Sequence, residues 1–157
     1  MENTEFKQTI TLKEVNLDNF RACIRLKVAG DQEKFIASNL FTIAESKVDH
    51  SMTPYAIYAN ETLVGFCCLE YVPENAANDR YGIPRFMIGE EFQGKGYGKQ
   101  AMEEIISMLS KNDDCIEISL SYVPENQAAR NFYLSLGFVD QGEKLSNENV
   151  LHYFVTE

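Results

Sequence analysis

The chain of 157 residues has the length of one domain with a buried core, and residues 1–157 are read as that single domain. Hydrophobic (45%) and charged (24%) contents are those of a water-soluble globular protein, no apolar run approaches the roughly 20 residues that cross a bilayer, and "MENTEFKQTI" lacks the basic-then-apolar pattern of a secretory leader, so a cytoplasmic protein is expected. A net charge of −10 argues against nucleic acid and anionic membrane as partners, because phosphate binding needs clustered Lys and Arg, and leaves room for a small cationic partner.

In chain order, "ITLKEV" (Ile10 to Val15) reads as a first strand. Asp18 is placed to cap a helix carrying Phe20, Cys23, Ile24 and Lys27 and ending near Gly30. A second helix is expected after Asp31, from the spacing of Phe35, Ile36, Leu40 and Ile43. Pro54 opens the strand "YAIYA", and Asn60-Glu61 turns it into "TLVGFCCLEYV". "YGIPRFMIG" is the next strand, and since proline cannot donate to a ladder, a bulge or unpaired stretch is expected at Pro84. From Gly98 to about Asn112, Ala101, Ile105 and Leu109 mark one face of a helix. "CIEISLSYV" alternates Ile116, Ile118, Leu120 and Tyr122 with Glu117, Ser119 and Ser121, as a half-buried strand does. A last helix carries Ala129, Phe132, Tyr133 and Leu136 and stops at Gly137, before strands at Phe138 to Gln141 and Val150 to Val155.

The order β-α-α-β-β-β-α-β-α-β-β implies a mixed α/β (α+β) domain around one sheet. The pentapeptide "YVPEN" occurs twice, at Tyr71 to Asn75 and Tyr122 to Asn126. Two copies make no repeat array, and only the second leads into a helix. Cys23, Cys67, Cys68 and Cys115 form no C-x-x-C pair, and with His50 and His152 as the sole imidazoles no metal-ligand spacing appears; free buried thiols and no metal are expected.

The chemistry concentrates in "FMIGEEFQGKGYGKQAMEEI", Phe86 to Ile105, a strand, a glycine-rich turn and a helix. As a P-loop it fails where Gly96 replaces the hydroxyl residue that holds Mg²⁺. As a dinucleotide fingerprint, Gly96-x-Gly98-x-x-Ala101 comes several residues after its strand, with too little chain downstream to complete the fold, although Glu117 stands where a ribose-binding acid belongs. As a pyrophosphate cradle, Gln93-x-x-Gly96-x-Gly98 exposes backbone N–H groups at a helix N-terminus, with Lys95 and Lys99 as local cations.

Gln93-Gly94-Lys95-Gly96-Tyr97-Gly98 resembles the Q/R-x-x-G-x-G/A signature of the GNAT (GCN5-related N-acetyltransferase) superfamily. Downstream, Asn126-x-x-Ala129-x-x-Phe132-Tyr133-x-x-x-Gly137-Phe138 is similar to that family's second motif. The resemblance covers nearly the whole chain and is strongest to the small bacterial spermidine/spermine acetyltransferases. It implies a mostly antiparallel sheet of about six to seven strands, splayed between its fourth and fifth and flanked by about four helices.

The resemblance also implies acetyl-CoA as co-substrate, held between the strands ending at Ile88 and Tyr122. The main chain of Phe86, Met87 and Ile88 would pair with the pantetheine arm, and the Ile88 N–H would polarise the thioester carbonyl. Backbone groups of Gln93, Gly94, Lys95, Gly96, Tyr97, Gly98 and Lys99 would bind the pyrophosphate. Asn126 would cap its helix and touch the cofactor arm, and Tyr133 would protonate the departing thiolate in a direct transfer within a ternary complex. Some relatives carry a base on the strand before the glycine turn, but Pro84 and Arg85 stand there in this chain. Candidates to deprotonate or hold a polyamine are Glu70, which interrupts an apolar strand, then Glu74, Glu33 and Glu45. A protein N-terminus, a lysine, an aminoglycoside, or a non-catalytic CoA-binding role are the alternatives, and open strand edges with family habit point to a homodimer.

Overall fold

The computed structural model describes residues 8–156; the leading segment Met1 to Lys7, on which the expected absence of a leader rests, lies outside the described residues, as does Glu157. Seven strands form one sheet in the order β1-β2-β3-β4-β5-β7-β6. They are β1 (Ile10–Glu14), β2 (Met52–Ala59), β3 (Thr62–Tyr71), β4 (Tyr81–Ile88), β5 (Glu117–Tyr122), β6 (Val139–Leu145) and β7 (Glu148–Phe154). Four α-helices flank it: α1 (Phe20–Arg25), α2 (Asn39–Val48), α3 (Tyr97–Ser110) and α4 (Gln127–Ser135). Every pairing is antiparallel except β4 with β5. This is the expected mixed sheet with four helices.

Each face of the sheet has its own core. On one, α3 and α4 pack Ala101, Met102, Ile105 and the Phe132–Tyr133 pair against Ile57, Cys67, Ile88, Ile118 and Leu120. On the other, Cys23, Val28, Leu26, Ile36 and Ile43 from α1, α2 and their connection cover Ala56, Phe66 and Met87. Cys67 and Cys68 are both fully buried, one on each face, as adjacent strand residues must be.

Two local signals act as read. Asn60 turns β2 into β3 with φ 53, a left-handed conformation that Asn tolerates. Cys68 pairs with Arg85 and Glu70 with Gly82, so Ile83 and Pro84 both stand opposite Leu69: the proline sits in a bulge.

The helices of the first half differ from expectation. α1 begins after Asn19 rather than Asp18 and ends at Arg25, well short of Gly30. Its open C-terminal carbonyls are taken by a distant side chain, with Asn39 Nδ2 donating to Cys23 O at 2.9 Å and Leu26 O at 3.4 Å. The chain then runs extended and lays Val28 on the sheet. Phe35 lies in a single 3₁₀ turn (Glu33–Phe35), and α2 starts only at Asn39, where Ser38 Oγ accepts the Phe41 N–H at 3.1 Å. Leu40 and Phe41, at 56% and 54% exposure, face solvent, while Asn39 and Thr42 are buried. The last hairpin is longer than expected because Ser146 adopts φ 56 at its tip, and β2 begins two residues before Pro54.

Candidate active site

β4 and β5 touch only at their start. Tyr81 pairs with Ile118 and Gly82 with Ser119, after which no pairing joins them. A parallel pair that opens after two residues leaves one edge of each strand unsatisfied, and beyond the split, between the end of β4 and α4, lies a cavity of about 390 Å³. It is lined by Phe86, Met87 and Ile88 of β4, by Gln93, Gly94, Gly96, Tyr97, Gly98 and Lys99 of the turn into α3, and by Asn126 and Tyr133. Of the residues assigned to the cofactor, Lys95 alone is not at its wall; its Nζ lies 6.0 Å from the centre of the Phe92 ring.

The direction of the β4 backbone follows from two bonds. Gly89 N donates back to Val64 O of β3 at 2.8 Å, and Gln93 Nε2 donates to Ile88 O at 3.0 Å from the opposite side. Because successive residues of a strand aim their polar groups at alternate edges, the N–H groups of Ile88 and Phe86 face the cavity.

The turn after β4 is built to present N–H groups. Gly94 and Gly96 take φ +76 and +82, a region costly for residues with a Cβ, and Gly96 opens α3 without a side-chain cap. Among the described residues, no acceptor takes the N–H groups from Gly94 to Lys99, which converge at the positive end of a 14-residue helix. At Gly98, an added Cβ would stand 3.5 Å from Phe132 Cζ and 3.7 Å from Ile88 Cγ1, so α3, α4 and β4 meet closely there.

Asn126 Oδ1 accepts the Ala129 N–H at 3.1 Å and so caps α4, while the residue also lines the cavity. Tyr133 serves both the core and the cleft. Its ring packs 5.4 Å from that of Phe132 and 5.8 Å from that of Phe138. Burial pushes its phenol up to about 12.

The acids are more dispersed. Glu33 is exposed in the 3₁₀ turn and borders a second cavity of about 350 Å³, which shares Val28, Ile36 and Met87 with the first. Glu70 is half-buried, on the sheet face that carries α2; burial, reinforced by Asp49, Asp79 and Glu45, raises its carboxyl above the usual carboxylate range. Glu74 is exposed in the turn after β3 and borders none of these cavities. Arg85 points Nη1 at the Pro84 carbonyl, 2.7 Å away, and its buried Nε has no partner.

Sequence reasoning missed two features. Gln32, in the connection between α1 and α2, accepts from Gln93 Nε2 at 2.9 Å and ties that connection to the glycine turn; no local pattern marks it. Glu117, expected on a polar strand face, is 7% exposed, with Oε1 2.5 Å from His152 Nδ1, while His152 Nε2 lies 2.6 Å from Glu143 Oε2. A three-residue bulge in β6, between Asp140 and Lys144, accompanies the Glu143 contact. Among the described residues no group of His, Cys, Asp or Glu is placed to hold a metal ion, and no helix is long and apolar enough to cross a membrane.

The profile of the Acetyltransferase (GNAT) family matches residues 11–138. The spermine/spermidine N(1)-acetyltransferase of Bacillus subtilis (strain 168) is 33% identical over 138 residues, which span 86% of this chain and 91% of that one. Among solved structures, the spermidine N-acetyltransferase of Vibrio cholerae in complex with CoA and spermine superposes with a TM-score of 0.71 at 18% identity, covering 93% of this chain and 95% of that one. The aminoglycoside acetyltransferase AAC(6')-Ib in complex with coenzyme A gives 0.77 at 16% identity, covering 93% and 95%; at these identities the likeness is one of fold. With a family profile over most of its length and a relative of the same size at this identity, the chain belongs to the GNAT family and is an acetyl-CoA-dependent N-acetyltransferase.

Proposed function

We propose that the enzyme acetylates a primary amine of a polyamine of the spermidine/spermine type, by direct transfer with both substrates bound. The observation that carries this reading is the 33% identity, over most of both chains, to a relative named spermine/spermidine N(1)-acetyltransferase. The net charge of −10 agrees with a cationic acceptor.

The cleft suits acetyl-CoA, which supplies the acetyl group as a thioester. The free β4 edge can pair with the amides of the pantetheine arm as an added strand does, through Phe86, Met87 and Ile88. The unpaired N–H groups of Gly94 to Lys99 and the α3 dipole offer a pyrophosphate seat, Lys99 adds a cation, and Lys95 screens from outside. The Ile88 N–H, with that of Phe86 beside it, is the donor for the negative charge that develops on the carbonyl oxygen. Asn126 fixes the start of α4, and α4 sets Tyr133 against the cleft.

In this mechanism Tyr133 gives its proton to the sulfur as the carbon–sulfur bond breaks. A phenol held near 12 stays protonated at neutral pH and is ready for that step. Glu33, beside the cleft, and Glu70, on the same sheet face as α2, hold the acceptor's charges; Glu74 contributes through the field at the rim. Burial raises the thiols of Cys23 and Cys115 to about 11 and that of Cys68 to about 12, and raises Cys67 as well, and none lines the cleft. Such thiols are poor nucleophiles, which supports direct transfer over a covalent acetyl-enzyme.

Four buried free thiols also suit the reducing cytoplasm, where we place the enzyme. Its open edge strands, β1 and β6, leave surfaces for the proposed homodimer, which light scattering would test. Thiol release from acetyl-CoA across spermidine, spermine, putrescine, an aminoglycoside, free amino acids and a lysine peptide tests the acceptor. Turnover confined to the polyamines is expected; turnover confined to the aminoglycoside or the peptide refutes the polyamine reading.

A further inference from the structure

Gly82 stands at the vertex of the cleft, in the last pair that joins β4 to β5. It is opposite Glu70 on β3 and Ser119 on β5, and Ser119 is opposite His152 on β7. Residues that face each other across a sheet share a face, so Glu70, Gly82, Ser119 and His152 form one row, on the side that carries α2. Glycine leaves a gap in that row. A Cβ built there would have three oxygens as its nearest neighbours: Ser119 O at 3.5 Å, Ser119 Oγ at 3.7 Å and Glu70 Oε1 at 3.8 Å.

Among the described residues, neither the Glu70 carboxylate nor the Ser119 hydroxyl has a side-chain partner; the only serine of β5 that is bonded is Ser121, to Glu148. An alkyl group in the gap would leave these oxygens unpaired, and an anion would be repelled by Glu70. A primary ammonium, with three N–H donors and a positive charge, can bond both of these side-chain oxygens. Glu70 is half-buried beside Asp49, Asp79 and Glu45, so a bound cation there relieves a crowded negative field.

Arg85 lies between this niche and the stretch of β4 that faces the cofactor cleft, on the same side of the sheet as Glu70. Among the described residues its guanidinium bonds only the Pro84 carbonyl. A cation fixed there disfavours a second ammonium close to the reacting one. Four residue steps lead from Gly82 to Phe86, roughly 13 Å of extended strand before the bulge shortens it. An extended polyamine covers that span, whereas the diamine of propane does not.

We infer that the Gly82 niche, formed by Glu70 Oε1, Ser119 Oγ and the Ser119 carbonyl, is the subsite for the second ammonium of the acceptor, and that it selects long diamines over short diamines and monoamines. The inference rests on the polyamine reading given above and names where the acceptor's unreacted end is held.

Calorimetric titration of the CoA-loaded enzyme with octane diamine, propane diamine and octylamine tests it, on wild type and on Glu70→Gln, Gly82→Ala and Ser119→Ala, with melting temperatures as the check on folding. The methyl of Gly82→Ala meets its neighbours at ordinary contact distances, so the sheet tolerates it. Wild type is expected to bind octane diamine about tenfold more tightly than octylamine or propane diamine, the worth of one charge-assisted hydrogen bond. That ratio falls toward unity in Glu70→Gln and Gly82→Ala, and by less in Ser119→Ala. A purely structural role would weaken all three amines alike and leave the ratio intact. Equal affinities in wild type, or a ratio that survives both Glu70→Gln and Gly82→Ala, overturns the niche. Thiol release on the same samples separates the two readings. Tight, Glu70-dependent diamine binding without polyamine turnover keeps the niche and refutes the acceptor; polyamine turnover with an unaltered ratio does the reverse.

Discussion

Asn126 holds two positions at once, as the cap of α4 and at the wall of the cleft beside β4, and a pair of substitutions separates them. Asn126→Ala removes the acceptor of the Ala129 N–H, a 3.1 Å bond at the start of a nine-residue helix. Losing such a cap costs about 1 kcal/mol. In a chain of 157 residues that lowers the melting temperature by about 3 °C. Asn126→Ser restores an oxygen that can cap, but not the carboxamide's reach or its N–H donors. If the carboxamide also bonds the cofactor arm, the serine variant melts with wild type while its KM for acetyl-CoA stays about fivefold raised, the worth of one hydrogen bond near 1 kcal/mol. Differential scanning fluorimetry and initial rates at varied acetyl-CoA read the two effects independently. A serine variant that recovers both values reduces Asn126 to a cap, and an alanine variant that melts with wild type removes even that.

Three further outcomes are expected. Gly96→Ala meets nothing nearer than Gln100 Nε2 at 4.0 Å, so its penalty is the left-handed backbone alone, about 1–2 kcal/mol, and it should raise the KM for acetyl-CoA while leaving the amine KM in place; equal effects on both would place the loop elsewhere in the mechanism. Tyr133→Phe should cut kcat by about a hundredfold or more with acetyl-CoA binding retained, and in wild type no loss of rate from phenol ionisation should appear below about pH 11; an undiminished rate in the variant refutes the general acid. Glu70 has its carboxyl raised by burial, so the stability linked to its proton is complete below the ordinary carboxylate range and is lost as pH rises through the raised one. Glu70→Gln should therefore melt above wild type at neutral pH, with the gap closing by about pH 4, and a variant that melts lower at neutral pH contradicts the burial argument.

The features legible in the sequence are local ones. The glycine turn, the Asn126 cap, the Asn60 turn and the Pro84 bulge each depend on a few adjacent residues whose backbone preferences decide the outcome. The larger departures come from contacts between distant segments. Phe35 and Ile36 have helical spacing, yet α2 waits for Asn39, because that carboxamide closes the end of α1 from 16 residues away. Gln32 reaches Gln93 across 61 residues, and Glu117 is buried because β7 sets His152 beside it. Glu70 is legible as a polar break in an apolar strand, but the gap it faces depends on the register that sets Gly82 opposite.

The repeated pentapeptide shows how little a short motif decides without its surroundings. Tyr71 and Tyr122 each end a strand, and each copy then turns at its proline. After the first, the chain makes only a single 3₁₀ turn (Ala77–Asp79), and Asn75 uses its amide as a donor, Nδ2 to Asp79 O at 3.0 Å, closing a loop that returns into β4. After the second, "QAARNFYLS" has the composition of a helix, and Asn126 uses its oxygen as an acceptor for the Ala129 N–H. The same carboxamide, oriented by the segment on its C-terminal side, makes a surface turn in the first copy and, in the second, sets the helix that carries Tyr133 to the cleft. What distinguishes the second copy therefore lies in the helix that carries Ala129, Phe132 and Tyr133, downstream of the five residues the two copies share.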